Sequence, residues 1–191
     1  MIITTSVDFL NQNSICREIK WENIPPFIPT STMDEILKFI CMFGGVSKTI
    51  FEFGTWIGRS TKGFSQNFKE VVSIDFIESS DINYGYLGFA SGELAKGIDN
   101  VTLVNYDSMH YDYSNYINKF DVIYVDGNHS YEGATSDITN SFKLLKDSGF
   151  IFIDDFINPT FGVASAVNNY NFTKKYFIED ISLVCFVKES A

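Results

Sequence analysis

The chain has 191 residues, enough for one domain around one hydrophobic core. A hydrophobic share of 45%, with 19 Phe and 10 Tyr, supplies that core with rings and excludes a disordered chain. The formal net charge of -10, with no basic cluster beyond Lys174-Lys175, excludes nucleic acid as an expected partner, because its binders carry a basic stripe.

In chain order, the opening MIITTSVDFL lacks the basic-then-apolar pattern of a secretory signal. No apolar run approaches the ~20 residues that span a membrane, so a cytoplasmic protein with no membrane partner is expected. Cys16, Cys41 and Cys185 are odd in number and form no CxxC pair, which disfavours a disulfide framework or a structural zinc and leaves them as small apolar residues. Pro25, Pro26 and Pro29 set residues 1–30 apart as an arm ahead of a domain over 31–191. Ser31 or Thr32 caps a helix that Gly44-Gly45 ends.

From there strands and helices alternate. Strands are expected at 48–53, 71–75, 101–105, 120–126, 150–154, 174–178 and 183–187. Helices are expected at 58–68, 88–96, 131–146 and 162–169, with Gly149 stopping the third of these. The alternation predicts an α/β fold, a parallel sheet with helices on both faces. The connection between the last two strands is too short for a parallel crossover, so they are expected to be antiparallel.

Two segments carry chemistry. The first, Phe51-Glu52-Phe53-Gly54-Thr55-Trp56-Ile57-Gly58-Arg59-Ser60, joins the first core strand to its helix, where ligands of such sheets bind. Its spacing is E-x-G-x-x-x-G. Trp56 stands where a dinucleotide site needs a glycine, and Glu52 repels a diphosphate but suits the ammonium of a bound amino acid. S-adenosyl-L-methionine is therefore favoured over NAD, with Glu52, Gly54, Thr55, Trp56, Gly58 and Ser60 as candidate contacts; an ordinary turn with structural glycines is the bland alternative. Asp75, about 20 residues on, suits the two hydroxyls of a ribose. Asp107 and Ser108 are placed to meet the adenine edge, or else to serve as plain loop residues.

The second segment pairs Val125-Asp126-Gly127-Asn128-His129 with Ile153-Asp154-Asp155 at the ends of two strands expected to be neighbours. Asp126, Asp154 and Asp155 repel unless a cation separates them, and oxygen ligands without cysteine suit Mg²⁺, with Mn²⁺ or Ca²⁺ as substitutes. Such a metal lowers the pKa of a substrate hydroxyl. His129, beside Asp126, suits a general base, or equally a helix cap. His110 has no visible partner and reads as structural.

Together FEFGTWIGRS, IYVDGNHSYEG and IFIDDF resemble the class I, Rossmann-like methyltransferases related to catechol O-methyltransferase, in particular the bacterial metal-dependent branch acting on natural products and sugars (methyltransferase family 24 type). The resemblance covers residues 31–190. It implies a doubly wound seven-stranded sheet in the order 3-2-1-4-5-7-6 with strand 7 antiparallel. It also implies Glu52, Gly54, Trp56 and Ser60 at the methionine end of the donor, Asp75 at the ribose and Asp107-Ser108 at the adenine. Asp126 lies beside the donor and joins Asp154 and Asp155 at the metal, and His129 is a base. Asp155 stands where the catechol enzymes carry Asn, and no acid matches the one that holds a second catechol hydroxyl, so catechol is not the expected acceptor. The expected activity is metal-assisted methylation of a small-molecule hydroxyl. A nicotinamide-dependent reductase, a non-catalytic binding module and a metal-dependent phosphoesterase are the rival readings. The arm reads as packing, a lid or a dimer contact, so a homo-oligomer stays open.

Overall fold

The computed structural model describes residues 2–5, 31–76, 90–170, 175–178 and 181–188. The apolar runs become strands β1 (Ile2–Thr5), β2 (Gly45–Phe53), β3 (Phe68–Asp75), β4 (Val101–Asn105), β5 (Phe120–Val125), β6 (Leu145–Ile153), β7 (Lys175–Ile178) and β8 (Leu183–Val187). The helices are α1 (Ser31–Cys41), α2 (Arg59–Ser65), α3 (Tyr131–Leu144) and α4 (Val163–Asn169). The sheet runs β1-β7-β8-β6-β5-β2-β3-β4. Counted from β2, its seven core strands take the order 3-2-1-4-5-7-6, and only the last, β8, is antiparallel to its neighbours.

Period-two alternation divides the core into two layers. Phe51 and Phe53 of β2, Ile123 and Val125 of β5, and Ile151 and Ile153 of β6 face α3 and α4, where Ala134, Ile138, Val163 and Val167 meet them. Ile50, Val122, Tyr124 and Phe152 face the other way, toward Ile36, Leu37 and Ile40 of α1 and Phe64 of α2. The central strands are buried on both faces, which is why they read as unbroken apolar runs. Each such Phe or Ile contributes roughly 1.5–3 kcal/mol through burial.

Two expectations change, and the arm supplies a strand that was not expected. Of the helix expected at 88–96, the described part, residues 90–96, holds only a single 3₁₀ turn at Glu93–Ala95, entered through Gly92 at φ 65°. Gly149 does not stop α3. The helix ends at Leu144, Leu145 is already extended, and Gly149 lies inside β6. There a side chain would stand 2.9 Å from the Asp121 carbonyl oxygen, so the glycine serves a close strand–strand approach where the β5–β6 register shifts. Finally, Ile2–Thr5 of the arm joins the sheet as an eighth strand, parallel to β7. The proline cluster and Trp21 lie outside the described residues.

At the end of the sheet where β2 and β5 begin, Asp121 gathers four donors. It accepts from Lys48 Nζ at 3.2 Å, the Thr49 amide at 2.9 Å, Thr49 Oγ1 at 3.1 Å and Lys146 Nζ at 2.9 Å. Burial opposes its ionisation, but the bonds from Lys146, Thr49 and Lys48 outweigh burial and hold the carboxyl down at about 2. A carboxyl lowered on folding adds stability above its ordinary pKa and loses it as the pH falls through the folded value. Asp121→Asn is expected to cost about 1–2 kcal/mol at pH 7 in urea unfolding. It should also flatten the loss of stability between about pH 4 and pH 2; an unchanged acid limb would refute the assignment.

Candidate active site

The turn after β2 is built on backbone that few residues adopt. Gly54 has φ 94°, Trp56 φ 45° and Gly58 φ 84°. A Cβ at Gly54 would fall 1.9 Å from the Asp126 carbonyl oxygen, so only glycine lets this turn lie against the turn after β5. The strand ends are in step: Phe53 pairs with Val125, and Val125 with Ile153. The Asp126 amide donates to the Phe53 carbonyl at 2.9 Å and the Asp154 amide to the Val125 carbonyl at 3.0 Å. Gly54, Asp126 and Asp154 thus follow one another along a single rim.

Asp75, at the end of β3, fastens the turn. Its Oδ2 accepts from the amides of Thr55 at 3.0 Å and Trp56 at 2.7 Å, and its Oδ1 from that of Phe76. Beneath the turn lies a sealed polar cluster. Thr55 Oγ1 meets Ser73 Oγ at 2.6 Å, and Thr61 Oγ1 donates to Glu52 Oε2 at 2.5 Å. Glu52 is fully buried, and its Oε1 meets no donor at hydrogen-bond geometry. Burial raises its pKa to about 7, partly offset by the hydroxyls of Ser60, Thr61 and Ser73. Thr55 and Ser60 are buried too, whereas Trp56 is 37% exposed. Among the sequence-derived contacts, then, Glu52, Thr55 and Ser60 support the turn from within, and Gly54 reaches the surface.

Gly54, Asp75, Asp107, Ser108, Gly127 and Asn128 line one cleft of about 300 Å³. Asp107 is held below its ordinary pKa by a 2.6 Å contact with His110 Nδ1 and by the Met109 amide. His110 therefore has a partner, three residues away, that the sequence reading did not give it.

The carboxylates stand at the next strand ends. His129 Nε2 lies 3.4 Å from Asp126 Oδ1 and 3.0 Å from Asp155 Oδ2, and the ligand atoms of these three residues lie within 4.8 Å of one another. Asp155 takes φ 57°, which turns it toward the pair. Asp154 sits behind: its Oδ2 accepts from Tyr124 Oη at 2.7 Å and its Oδ1 from the Asp155 amide at 2.7 Å. Tyr124 Oη also lies 3.3 Å from Asp126 Oδ2, so one phenol bridges two acids. The sequence reading missed Tyr124 because its run, Val122-Ile123-Tyr124-Val125, looks uniformly apolar; its one signal is a hydroxyl two residues before an acid, on the same face. Burial raises the pKa of Asp126, and burial together with Asp126 raises that of Asp154 to about 7. Hydrogen bonding of its ring to the carboxylates of Asp126 and Asp155 raises His129 to about 10. The His129 ring stacks on Phe161 at 4.3 Å, and its carbonyl accepts from the Gly162 amide at 2.8 Å. Ser130 then caps α3 by accepting from the Gly133 amide.

The model of a family described as Methyltransferase domain matches residues 51–156, which contain both the glycine turn and the acids. No curated protein matches the sequence. Among solved structures, the N-methyltransferase NodS from Bradyrhizobium japonicum is 15% identical, with 85% of this chain and 99% of that one covered and a TM-score of 0.59. An rRNA methylase from Streptococcus thermophilus is 16% identical, with 85% and 99% covered and a TM-score of 0.57. The O-methyltransferase NovP is 15% identical, with 75% and 72% covered and a TM-score of 0.58. The chain spans 50% of the length of a Bacillus halodurans structure, at 16% identity over 65% of this chain and a TM-score of 0.47. At these identities the likeness is one of fold. No helix among the described residues is long and apolar enough to cross a membrane.

The close approach at Gly54 has a measurable cost. The Cβ of Gly54→Ala would fall 1.9 Å from the Asp126 carbonyl oxygen, whereas that of Gly58→Ala meets the Ala95 Cβ at 3.0 Å and the Ala95 and Gly92 backbone at 3.1 Å. Both pay about 1–2 kcal/mol for the left-handed backbone. Thermal unfolding is expected to rank Gly54→Ala clearly below Gly58→Ala; equal losses would show that the two turns do not depend on this contact.

Proposed function

The chain belongs to the Methyltransferase domain family, whose class I members depend on S-adenosylmethionine, and from that premise we propose that it methylates a small-molecule hydroxyl with the help of a divalent cation. The observation that carries this reading is the shared rim: a cleft suited to a nucleoside opens beside converging carboxylates. S-adenosyl-L-methionine supplies a methyl group on a sulfonium, already bonded to a good leaving group. The chain's task is alignment and charge control. Gly54 lets the donor approach the backbone, Asp75 and Asp107 offer acceptors to its hydroxyl and amino groups, and the buried Glu52 cluster keeps the turn rigid.

The two converging carboxylates of Asp126 and Asp155 fit a hard cation, with Mg²⁺ first and Mn²⁺ or Ca²⁺ as substitutes. Asp126 and Asp155, with Asp154 behind them, would hold it, and it would supply the positive charge that lowers the pKa of an acceptor hydroxyl. Crowded and partly desolvated acids favour this, since a cation offsets their mutual repulsion. A cation on Asp126 and Asp155 would replace the imidazolium as their counter-charge and return His129 to its neutral form, whose Nε2 would take the proton of the acceptor hydroxyl, with the ring held in place by Phe161. The three structural relatives act, by their names, on nitrogen, RNA and oxygen, so the fold leaves the acceptor open; the acid cluster is what favours oxygen.

Calorimetry with S-adenosylhomocysteine tests the donor half, and a Mn²⁺ titration tests the metal half. Asp155→Ala is expected to lose the metal heat and keep the nucleoside heat. With a panel of phenols and sugars as acceptors, release of S-adenosylhomocysteine should fall about 10²–10⁴-fold in His129→Ala. Full turnover after exhaustive chelation would remove the metal from the mechanism, and no binding of S-adenosylhomocysteine would overturn the reading altogether.

A further inference from the structure

One buried acid has no place in the scheme above. Asp137, on the second turn of α3, is fully buried, and neither of its oxygens makes a hydrogen bond at accepted geometry. It lies directly behind the cleft wall: a Cβ on Gly127 would stand 2.9 Å from Asp137 Oδ2. The Ser108 hydroxyl faces the same carboxyl, short of a formed bond yet near enough to favour its ionised form. Ser108 and Gly127 both line the cleft. The Ser108 carbonyl is fixed from the far side by Tyr113 Oη at 2.8 Å. An unpaired, solvent-free carboxyl is costly to keep, and this one faces the wall against which a nucleoside would lie.

We propose that Asp137 is a positioning residue of the donor cleft, whose protonation decides which way the Ser108 hydroxyl points. The inference rests on the reading of that cleft as a nucleoside site. A neutral Asp137 donates its proton to Ser108 Oγ, and the single Ser108 proton is then free to be donated into the cleft. An ionised Asp137 has no proton to give; Ser108 donates to it, and the cleft meets only oxygen lone pairs. The acceptor nitrogens of a nucleobase bind the first arrangement and not the second.

The surrounding charges set the working range. Burial raises Asp137 to about 7, reinforced by Asp107 and Asp75. Asp107 is itself paired with His110 at 2.6 Å, and the third titratable neighbour, Tyr113, is held neutral by burial and by Asp137. An acid raised on folding loses stability as the pH climbs from its ordinary value to the folded one. The ionised state of this wall is therefore the less stable as well as the weaker binder.

The experiment is a calorimetric Kd for S-adenosylhomocysteine between pH 6 and pH 8.5, on the full chain and on Asp137→Asn and Ser108→Ala. The parent protein is expected to weaken about tenfold across this range, the loss of one hydrogen bond. Asn carries a permanent donor, so Asp137→Asn should hold the low-pH affinity at every pH, with a Tm at pH 8 no lower than the parent's. Ser108→Ala should bind weakly throughout, with the slope gone. A slope that survives in Asp137→Asn would assign the titration elsewhere, to Glu52 or the Asp126–Asp154 pair, and overturn the proposal, as would a flat profile in the parent. No binding at any pH would instead refute the nucleoside cleft on which it rests.

Discussion

The turn after β2 touches the turn after β5 through bare backbone at Gly54 and Asp126, and the site depends on that contact. Neither turn has room for a side chain between them. The register of β2 with β5, and of β5 with β6, brings three strand ends to the same level. Asp75 then draws the turn down onto β3 by accepting hydrogen bonds from two backbone amides. Ladder bonds inside the sheet, rather than long-range charge, set the spacing between the cleft and the acids, and such bonds shift little.

This rim is rich in acids that folding alone would not choose. Glu52, Asp126, Asp137 and Asp154 are buried or nearly so, and burial raises the pKa of each. Away from the rim, Asp121 shows the ordinary solution, with two lysines, an amide and a hydroxyl closing around one carboxylate. The difference between the two ends of the sheet is the usual mark of a site in which charge is kept for chemistry.

The sequence disclosed what is periodic or sharply local. The central strands were legible because burial on both faces writes an unbroken apolar run, and the glycine turn because no other residue fits it. Asp126, Asp154 and Asp155 could be brought together on paper because neighbouring strand ends share a level, although the closest cluster in space replaces Asp154 with His129. What stayed hidden depends on contacts across the chain. Tyr124 looks apolar until its hydroxyl is seen between two acids. Asp137 sits in a helical stretch where an acid ordinarily faces water. Gly149 looks like a helix stop, and only the approach of β5 reveals its purpose. The parallel pairing of Ile2–Thr5 with β7 leaves no local trace, because its partner is almost the whole chain away.

That outer strand has a consequence for how the molecule opens. Pairing residues 2–5 with residues 175–178 closes a loop nearly as long as the protein, at the largest entropic cost any contact here can carry. Among the described residues, four on a sheet edge repay it. Such a margin is the first to fray in native-state hydrogen exchange and the last to zip up in folding. The rim that bears the glycine turn and the acids is anchored in the middle of the sheet, where amides exchange only when the whole structure unravels.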